Sequence, residues 1–260
     1  MNDDQVFKTA CHQEVARQGQ DVELRELSLN WLCKAAQYKY SYHFEWLGRP
    51  IIQHPQDIVG LQQVIWDVQP DLIIETGIAR GGSLIFCASM LELLSSCSGN
   101  PAGTVLGIDI DIRKHNRAAI LAHPMSKRIR MLQGSSTSPE IANQVQLFAR
   151  DFKRILVCLD SNHTHEHVLE ELRLYSPLVS RGSYCIVWDT VIADMPNDAF
   201  SNRPWTKTAN PKSAVSDFLS TINKTPINGF DGQPLNYEID KFLESKLLIT
   251  VAPNGFLRRI

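Results

Sequence analysis

The side chains best able to do chemistry sit in a pair of short stretches late in the sequence and in two further stretches before them. In Asp160-Ser161-Asn162-His163 and, further along, Trp188-Asp189-Thr190, two carboxylates and an imidazole follow apolar runs. Carboxylate and hydroxyl oxygens suit a hard cation, magnesium better than zinc, if Asp160 and Asp189 come within reach of one ion. His163 lies three residues after Asp160. An imidazole changes charge close to neutral pH, so it can serve there as a general base. A zinc site lacks a supporting cysteine or histidine cluster, although the His163-x-His165 spacing leaves it open. His165 and His167 read as surface residues of a first helical turn. The structural alternative for Asp160 and Asp189 is ion pairing with Arg154 or Arg181.

The first of the two earlier stretches, DLIIETGIARGGS, runs from Asp71 to Ser83 and puts Glu75 after an apolar run. Gly77, Gly81 and Gly82 then precede Ser83, which opens a helical segment. Such a turn lets the backbone pass close to a ligand with no Cβ in the way. Its spacing is not the G-x-G-x-x-G dinucleotide fingerprint, which argues against a pyrophosphate. A strand-end carboxylate beside a glycine turn suits a ligand with cationic or hydroxylated parts, and S-adenosylmethionine (SAM) carries an amino group and a sulfonium. A plain tight turn is the alternative. In the other earlier stretch the apolar run 104–108 ends in Asp109, placed to accept both ribose hydroxyls of a nucleoside.

These groups need a frame that gathers them. Runs at 72–74, 104–108, 129–132, 154–159 and 183–187 read as buried strands. Helices are expected at 56–68, stopped by Pro70, at 84–94 and at 164–175, the last with Val168, Leu172 and Tyr175 on one face. Strand then helix, repeated, predicts an α/β fold: a doubly wound, mostly parallel sheet whose ligand site lies at the carboxyl ends of the strands. Glu75, Asp109, Ser135 (after Gly134), Asp160 and Asp189 all fall at that edge.

The flanks are less regular. Residues 1–36 have helical spacing, with Val22, Leu24, Leu27, Leu29 and Leu32 as one apolar stripe, and read as an extension packed on the main domain or a neighbouring subunit. Residues 38–50 (YKYSYHFEWLGRP) form an aromatic loop that packs or acts as a lid. Asn100-Pro101-Ala102-Gly103 makes a turn. Residues 194–236, with one helix at 211–222, read as a substrate lid. Pro253-Asn254-Gly255 between runs at 246–251 and 256–260 is a hairpin signal, adding two final strands of which at least one is antiparallel. The expected division is an N-terminal helical extension and aromatic loop (1–50) and a catalytic domain (51–260).

The 260 residues carry a net charge of −2, which offers no excess of positive charge for a nucleic acid. No apolar run approaches the roughly 18 residues of a spanning helix, and the polar N-terminus has no apolar signal core. Six cysteines without a C-x-x-C pair read as small core residues in a reducing compartment, so the expected location is cytoplasmic. Assembly as a homo-oligomer is expected.

ETGIARGGS, VLGIDIDIR, QGSS, LDSNHTHEHVLEELRLYSPLV and ITVAPNGFLRR, in this order, resemble the cephalosporin hydroxylase family, which includes rhamnosyl and macrolide-sugar O-methyltransferases. The likeness covers roughly residues 38–260. It implies a Rossmann-like, SAM-dependent methyltransferase, with magnesium in many members, acting on a sugar or other saccharide acceptor. By resemblance Glu75, Gly77 and Ser83, with Gly81 in the same turn, hold the amino-acid end of SAM. Asp109 holds the ribose, Gly134 and Ser135 border the adenine, Asp160 and Asp189 bind the metal, Asp160 also contacts the cofactor and shares the catalytic role, and His163 is the base. One departure stands out: relatives commonly carry a second carboxylate just before the aspartate at 189, where this chain has Trp188. That removes a metal ligand, whose place Thr190 or water could fill. Two rivals remain: an iron and 2-oxoglutarate hydroxylase built on two histidines and a carboxylate, and a non-enzymatic partner protein that keeps the cofactor fold.

Overall fold

The computed structural model describes residues 2–99, 103–196 and 202–260. The turn expected at 100–103 lies outside the described residues except for Gly103. Two helices open the chain, α1 (Asp3–Gln20) and α2 (Val22–Ala36). Asn2 and Gln5 cap α1 reciprocally, and the Asp21 side chain accepts from Leu24 N–H to start α2. The expected single stripe does not form. Leu32 is buried and Leu29 packs on the core, but Val22 and Leu27 are each 58% exposed. Gln18 Nε2 donates to Ser245 O at 2.8 Å, fastening the extension to the C-terminal part of the chain.

The aromatic loop contains a 3-10 turn (Tyr40–His43) and a two-strand antiparallel ribbon, β1 (Phe44–Trp46) and β2 (Arg49–Ile51). The alternation expected from the sequence follows. It comprises α3 (Pro55–Val68), β3 (Leu72–Thr76), α4 (Gly82–Ser98), β4 (Thr104–Asp109), α5 (Lys114–Ala122), β5 (Ile129–Gln133), α6 (Pro139–Ala149), β6 (Ile155–Leu159), α7 (His165–Tyr175) and β7 (Tyr184–Val187). The chain then adds α8 (Pro211–Lys224), β8 (Tyr237–Ile239), α9 (Lys241–Leu247) and β9 (Phe256–Arg259). Among the described residues no helix is long and apolar enough to cross a membrane.

The main sheet has the order β5-β4-β3-β6-β7-β9-β8. Strands β3 to β7 are parallel, and β9 runs antiparallel to both β7 and β8. The terminal antiparallel pair is therefore present, but its first strand is β8 rather than 246–251. Asp240 caps α9 at that point through Leu243 N–H, and the Val251 N–H goes to the buried Asp57 carboxylate instead of to a neighbouring strand.

Because strand side chains alternate, each strand feeds two cores. Ile73, Leu156, Cys158 and Ile186 face α3 and α4, whereas Leu72, Ile74, Val157 and Val187 face α6, α7 and α8. On that period Glu75, Asp160 and Trp188 belong to the α3/α4 side. This parity decides which functional side chains can meet.

Candidate active site

The strand order reverses at β3, which pairs with β4 on one side and β6 on the other. In open α/β sheets a ligand crevice forms beyond the carboxyl ends at such a reversal. Gly77 sits in that gap: its N–H donates to Ile108 O at 2.8 Å, and a Cβ on it would lie 2.0 Å from Asp160 O. With φ at +89°, glycine is the residue this position requires.

Glu75 is 3% exposed, and both its oxygens turn toward α4. Ser83 Oγ donates a short hydrogen bond to one oxygen and Cys87 Sγ lies 4.0 Å from the other. Burial pushes the Glu75 carboxyl up to about 7, against the lowering effect of Ser83. The space beside it is a cavity of about 10 Å³, walled in part by Gln53, Asp57, Asp160 and Trp188. That is room for about one water.

Asp57, on α3, is the carboxylate that the sequence reading passed over. It is fully buried and accepts from Thr250 Oγ1 at 2.5 Å and Val251 N at 3.0 Å. Burial pushes its carboxyl up to about 7. Asp160 is raised well above the usual carboxylate range, first by burial and then by Asp189, Glu75, Glu171 and Asp57. So many carboxyls around one small space favour an incoming positive charge.

Asp109 straps the glycine turn: Oδ2 accepts from Ile78 N at 2.8 Å and Ala79 N at 3.1 Å, and Oδ1 from Asp111 N at 2.9 Å. Gly134 N donates to Asp109 O at 2.9 Å, which brings Gly134 and Ser135 alongside. Gly81, with φ at +84°, precedes the first residue of α4.

On the β6/β7 side, Asp160, His163 and Asp189 each offer a ligand atom, and these atoms lie within 4.8 Å of one another. His163 Nε2 is 3.1 Å from Asp189 Oδ2. Since Ile186 and Trp188 share the α3/α4 face, Asp189 is brought round by a left-handed backbone, φ +57°. Trp188 is 4% exposed and packs edge-on against Phe256, so it serves the core. Gln53 Nε2 reaches Asp160 Oδ2 at 3.5 Å. One aromatic ring touches the cluster, and others gather around the nearby His54. Trp205 stands edge-on to His163 at 4.9 Å, and Tyr40 and Trp31 lie 5.5 and 6.1 Å from the ring of His54. His54 is 5% exposed and its Nδ1 has no hydrogen-bond partner.

Three expectations change here. Neither Arg154 nor Arg181 forms an ion pair with Asp160 or Asp189 among the described residues; Asp189 pairs with His163. The cluster holds one histidine and two carboxylates, the inverse of the two-histidine facial triad of an iron hydroxylase. His165 and His167 are not surface decoration. His165 Nδ1 lies 2.8 Å from Ser213 Oγ, and His167 Nε2 is 3.1 Å from both Ser136 Oγ and Ser161 Oγ. Ser161 in turn donates to the buried Glu171 at 2.6 Å, and Tyr175 donates to Ser136 O at 2.5 Å. His167, Glu171 and Tyr175 recur every four residues along α7, one polar edge that ties the loop after β5 to the loop after β6.

Counted from β3 as the first strand, the sheet order is 3-2-1-4-5-7-6 with the last strand antiparallel. Acidic residues stand at the carboxyl ends of β3, β4, β6 and β7, and the fold and the sequence profile together are those of a SAM-dependent O-methyltransferase. The chain belongs to the rhamnosyl O-methyltransferase/CmcI family, whose sequence profile matches residues 38–260. It is 29% identical to a rhamnosyl O-methyltransferase of Mycobacterium leprae (strain TN) over 82% of this chain and 82% of that protein. A rhamnosyl O-methyltransferase of Mycobacterium tuberculosis (strain ATCC 25618 / H37Rv) is 30% identical over 78% of this chain and 73% of its own length. Among solved structures, the Mg–SAM complex of CmcI shares the fold with a TM-score of 0.53 at 18% identity, covering 84% of this chain and 77% of that one.

Proposed function

We propose that this chain transfers the methyl group of SAM to a hydroxyl of a sugar in a glycoside, a deoxyhexose of the rhamnose kind. The observation that carries this reading is the cluster of Asp160, His163 and Asp189 at the sheet edge that also presents Glu75 and Asp109. The relatives' rhamnosyl specificity supports the acceptor class. In this reading Glu75, Ser83 and the turn of Gly77 and Gly81 receive the amino-acid end of SAM, Asp109 the ribose, and Gly134 and Ser135 the adenine.

Two carboxylates with ligand atoms within 4.8 Å of one another fit a hard cation, with the His163 imidazole beside them as the base. Asp160 and Asp189 would hold magnesium, which when bound makes a chelated hydroxyl more acidic. Gln53 and Asp57 hold Asp160 and the segment around Thr250 in place. His163 takes the proton from the acceptor hydroxyl, and Asp189, already 3.1 Å from its Nε2, stabilises the imidazolium. The acceptor oxygen then attacks the methyl carbon in line with the breaking C–S bond, leaving S-adenosylhomocysteine. Trp205, edge-on to His163 and with Arg203 over its ring at 5.2 Å, supports an acceptor that packs against an aromatic side chain.

Residues 51–260 act as the catalytic domain in this reading and 1–50 as its extension. Exposed Val6, Phe7, Val22 and Leu27 on that extension support a homo-oligomer, and six free cysteines support a reducing, cytoplasmic setting. The test is transfer of label from methyl-labelled SAM to methyl α-rhamnopyranoside. Label recovered as an O-methyl ether supports the reading, and absence of transfer both to this glycoside and to a rhamnosyl-disaccharide methyl glycoside, by protein that binds SAM, removes it.

A further inference from the structure

A second, larger cavity of about 600 Å³ lies between α2 and the segments that follow β7 and precede β9. It is within the roughly 300–1,000 Å³ of small-molecule sites. One wall is α2, through Ser28, Leu29 and Leu32. The opposite wall is Val191 and Asp194, in the turn that follows Asp189, together with Thr250 and Pro253. Because Phe256 pairs with Ile186, the segment leading into β9 lies at the carboxyl end of β7, on the edge that carries Asp189. Thr250, on the wall of this cavity, donates through Oγ1 to Asp57 Oδ1 at 2.5 Å, and Asp57 lines the small cavity with Glu75 and Asp160.

The charge on the lining indicates what it would hold. Arg25, Lys212 and Lys241 are balanced by Glu26, Asp194 and Glu244. Lys212 lies 2.6 Å from Asp194, and Lys241 lies 3.1 Å from Glu244. A diphosphate would need a surplus of cations, whereas balanced polar groups interleaved with Leu29, Leu32 and Val191 suit an uncharged ligand rich in hydroxyls. The inner wall belongs to the matched family region, but α2 lies before residue 38, where the match begins.

We infer that this cavity binds the neutral saccharide unit adjoining the sugar that is methylated, and that the N-terminal helices thereby select an oligosaccharide or glycoside acceptor over a free or nucleotide-linked sugar. The inference rests on the sugar O-methylation reading and deepens it.

The test compares three acceptors with the full chain: methyl α-rhamnopyranoside, a rhamnosyl-disaccharide methyl glycoside and a nucleoside diphosphate rhamnose. The disaccharide is expected to have a kcat/KM roughly tenfold or more above the monosaccharide. Arg25→Trp and Ser28→Phe, which fill the cavity from α2, should erase that advantage while monosaccharide turnover and S-adenosylhomocysteine affinity stay unchanged. If Ser28→Phe fails to fold, the exposed Arg25→Trp still decides. Equal turnover of mono- and disaccharide by the wild type, equal slowing of both by the variants, or preference for the diphosphate sugar overturns the inference alone. Transfer to none of the three removes the sugar reading with it.

Discussion

His163 Nε2 and Asp189 Oδ2 meet at 3.1 Å although they come from the ends of different strands, β6 and β7. The contact depends on the left-handed backbone at Asp189, without which period-two alternation would aim position 189 away from the α3/α4 face. His163 is thus held by a carboxylate that also belongs to the candidate metal cluster.

Replacing the base removes proton transfer and leaves cofactor contacts alone. His163→Ala is expected to lower kcat by about 10²–10⁴-fold. The affinity for S-adenosylhomocysteine, read by calorimetry, should stay unchanged.

Asp160→Ala separates metal from cofactor. Turnover should be lost and S-adenosylhomocysteine binding largely kept, while magnesium binding, titrated directly, disappears. Equal loss of both ligands would move Asp160 from the metal to the cofactor.

Glu75 and Asp57 give a pH signature. Each carboxyl is pushed up to about 7 in the folded chain, from 4.5 and 3.8 respectively. A raised carboxyl binds its proton more tightly in the native state. The stabilisation is therefore full below the unfolded values and is lost as pH rises through about 7. The ligand-free protein should lose thermal stability between about pH 5 and 8, and Glu75→Gln should flatten part of that slope. A cationic amino group favours ionised Glu75, so S-adenosylhomocysteine should bind more tightly as pH rises across the same window. That dependence should vanish in Glu75→Gln.

The polar edge of α7 should matter for stability and for cofactor binding together. Glu171→Ala leaves Ser161 and His167 without their buried acceptor, at a cost of about 1–3 kcal/mol in urea unfolding. Since the same edge holds Ser136, beside the expected adenine site, KM for SAM should rise. Glu171→Gln, which keeps an acceptor for Ser161, should recover most of both.

Much of the frame was legible because it is written in local pattern. Branched apolar runs marked β3 to β7, and each ended in the polar residue now found at the sheet edge. The meeting of Asp160 and Asp189 in one candidate cluster was legible for the same reason, since both directly follow such runs. Asp57 was not, because an acidic residue in the first turn of α3 looks like ordinary helix capping. Only the long-range approach of Thr250 and Val251 shows that it is buried. His167 and Glu171 were hidden likewise: one turn apart on α7 they resemble a solvated face, and their partners come from two other loops. The strand expected at 246–251 does not form: α9 runs through Leu247, and the Val251 amide donates to the Asp57 carboxylate.

The most direct measurement of the central claim is methyl transfer from labelled SAM to methyl α-rhamnopyranoside and to a rhamnosyl-disaccharide methyl glycoside by the wild-type chain, before and after chelation of divalent metal. The account predicts a sugar O-methyl ether, formation of which falls on chelation and returns with magnesium. Protein that binds SAM with Glu75 and Asp109 intact yet yields no O-methylated sugar under either condition would contradict it.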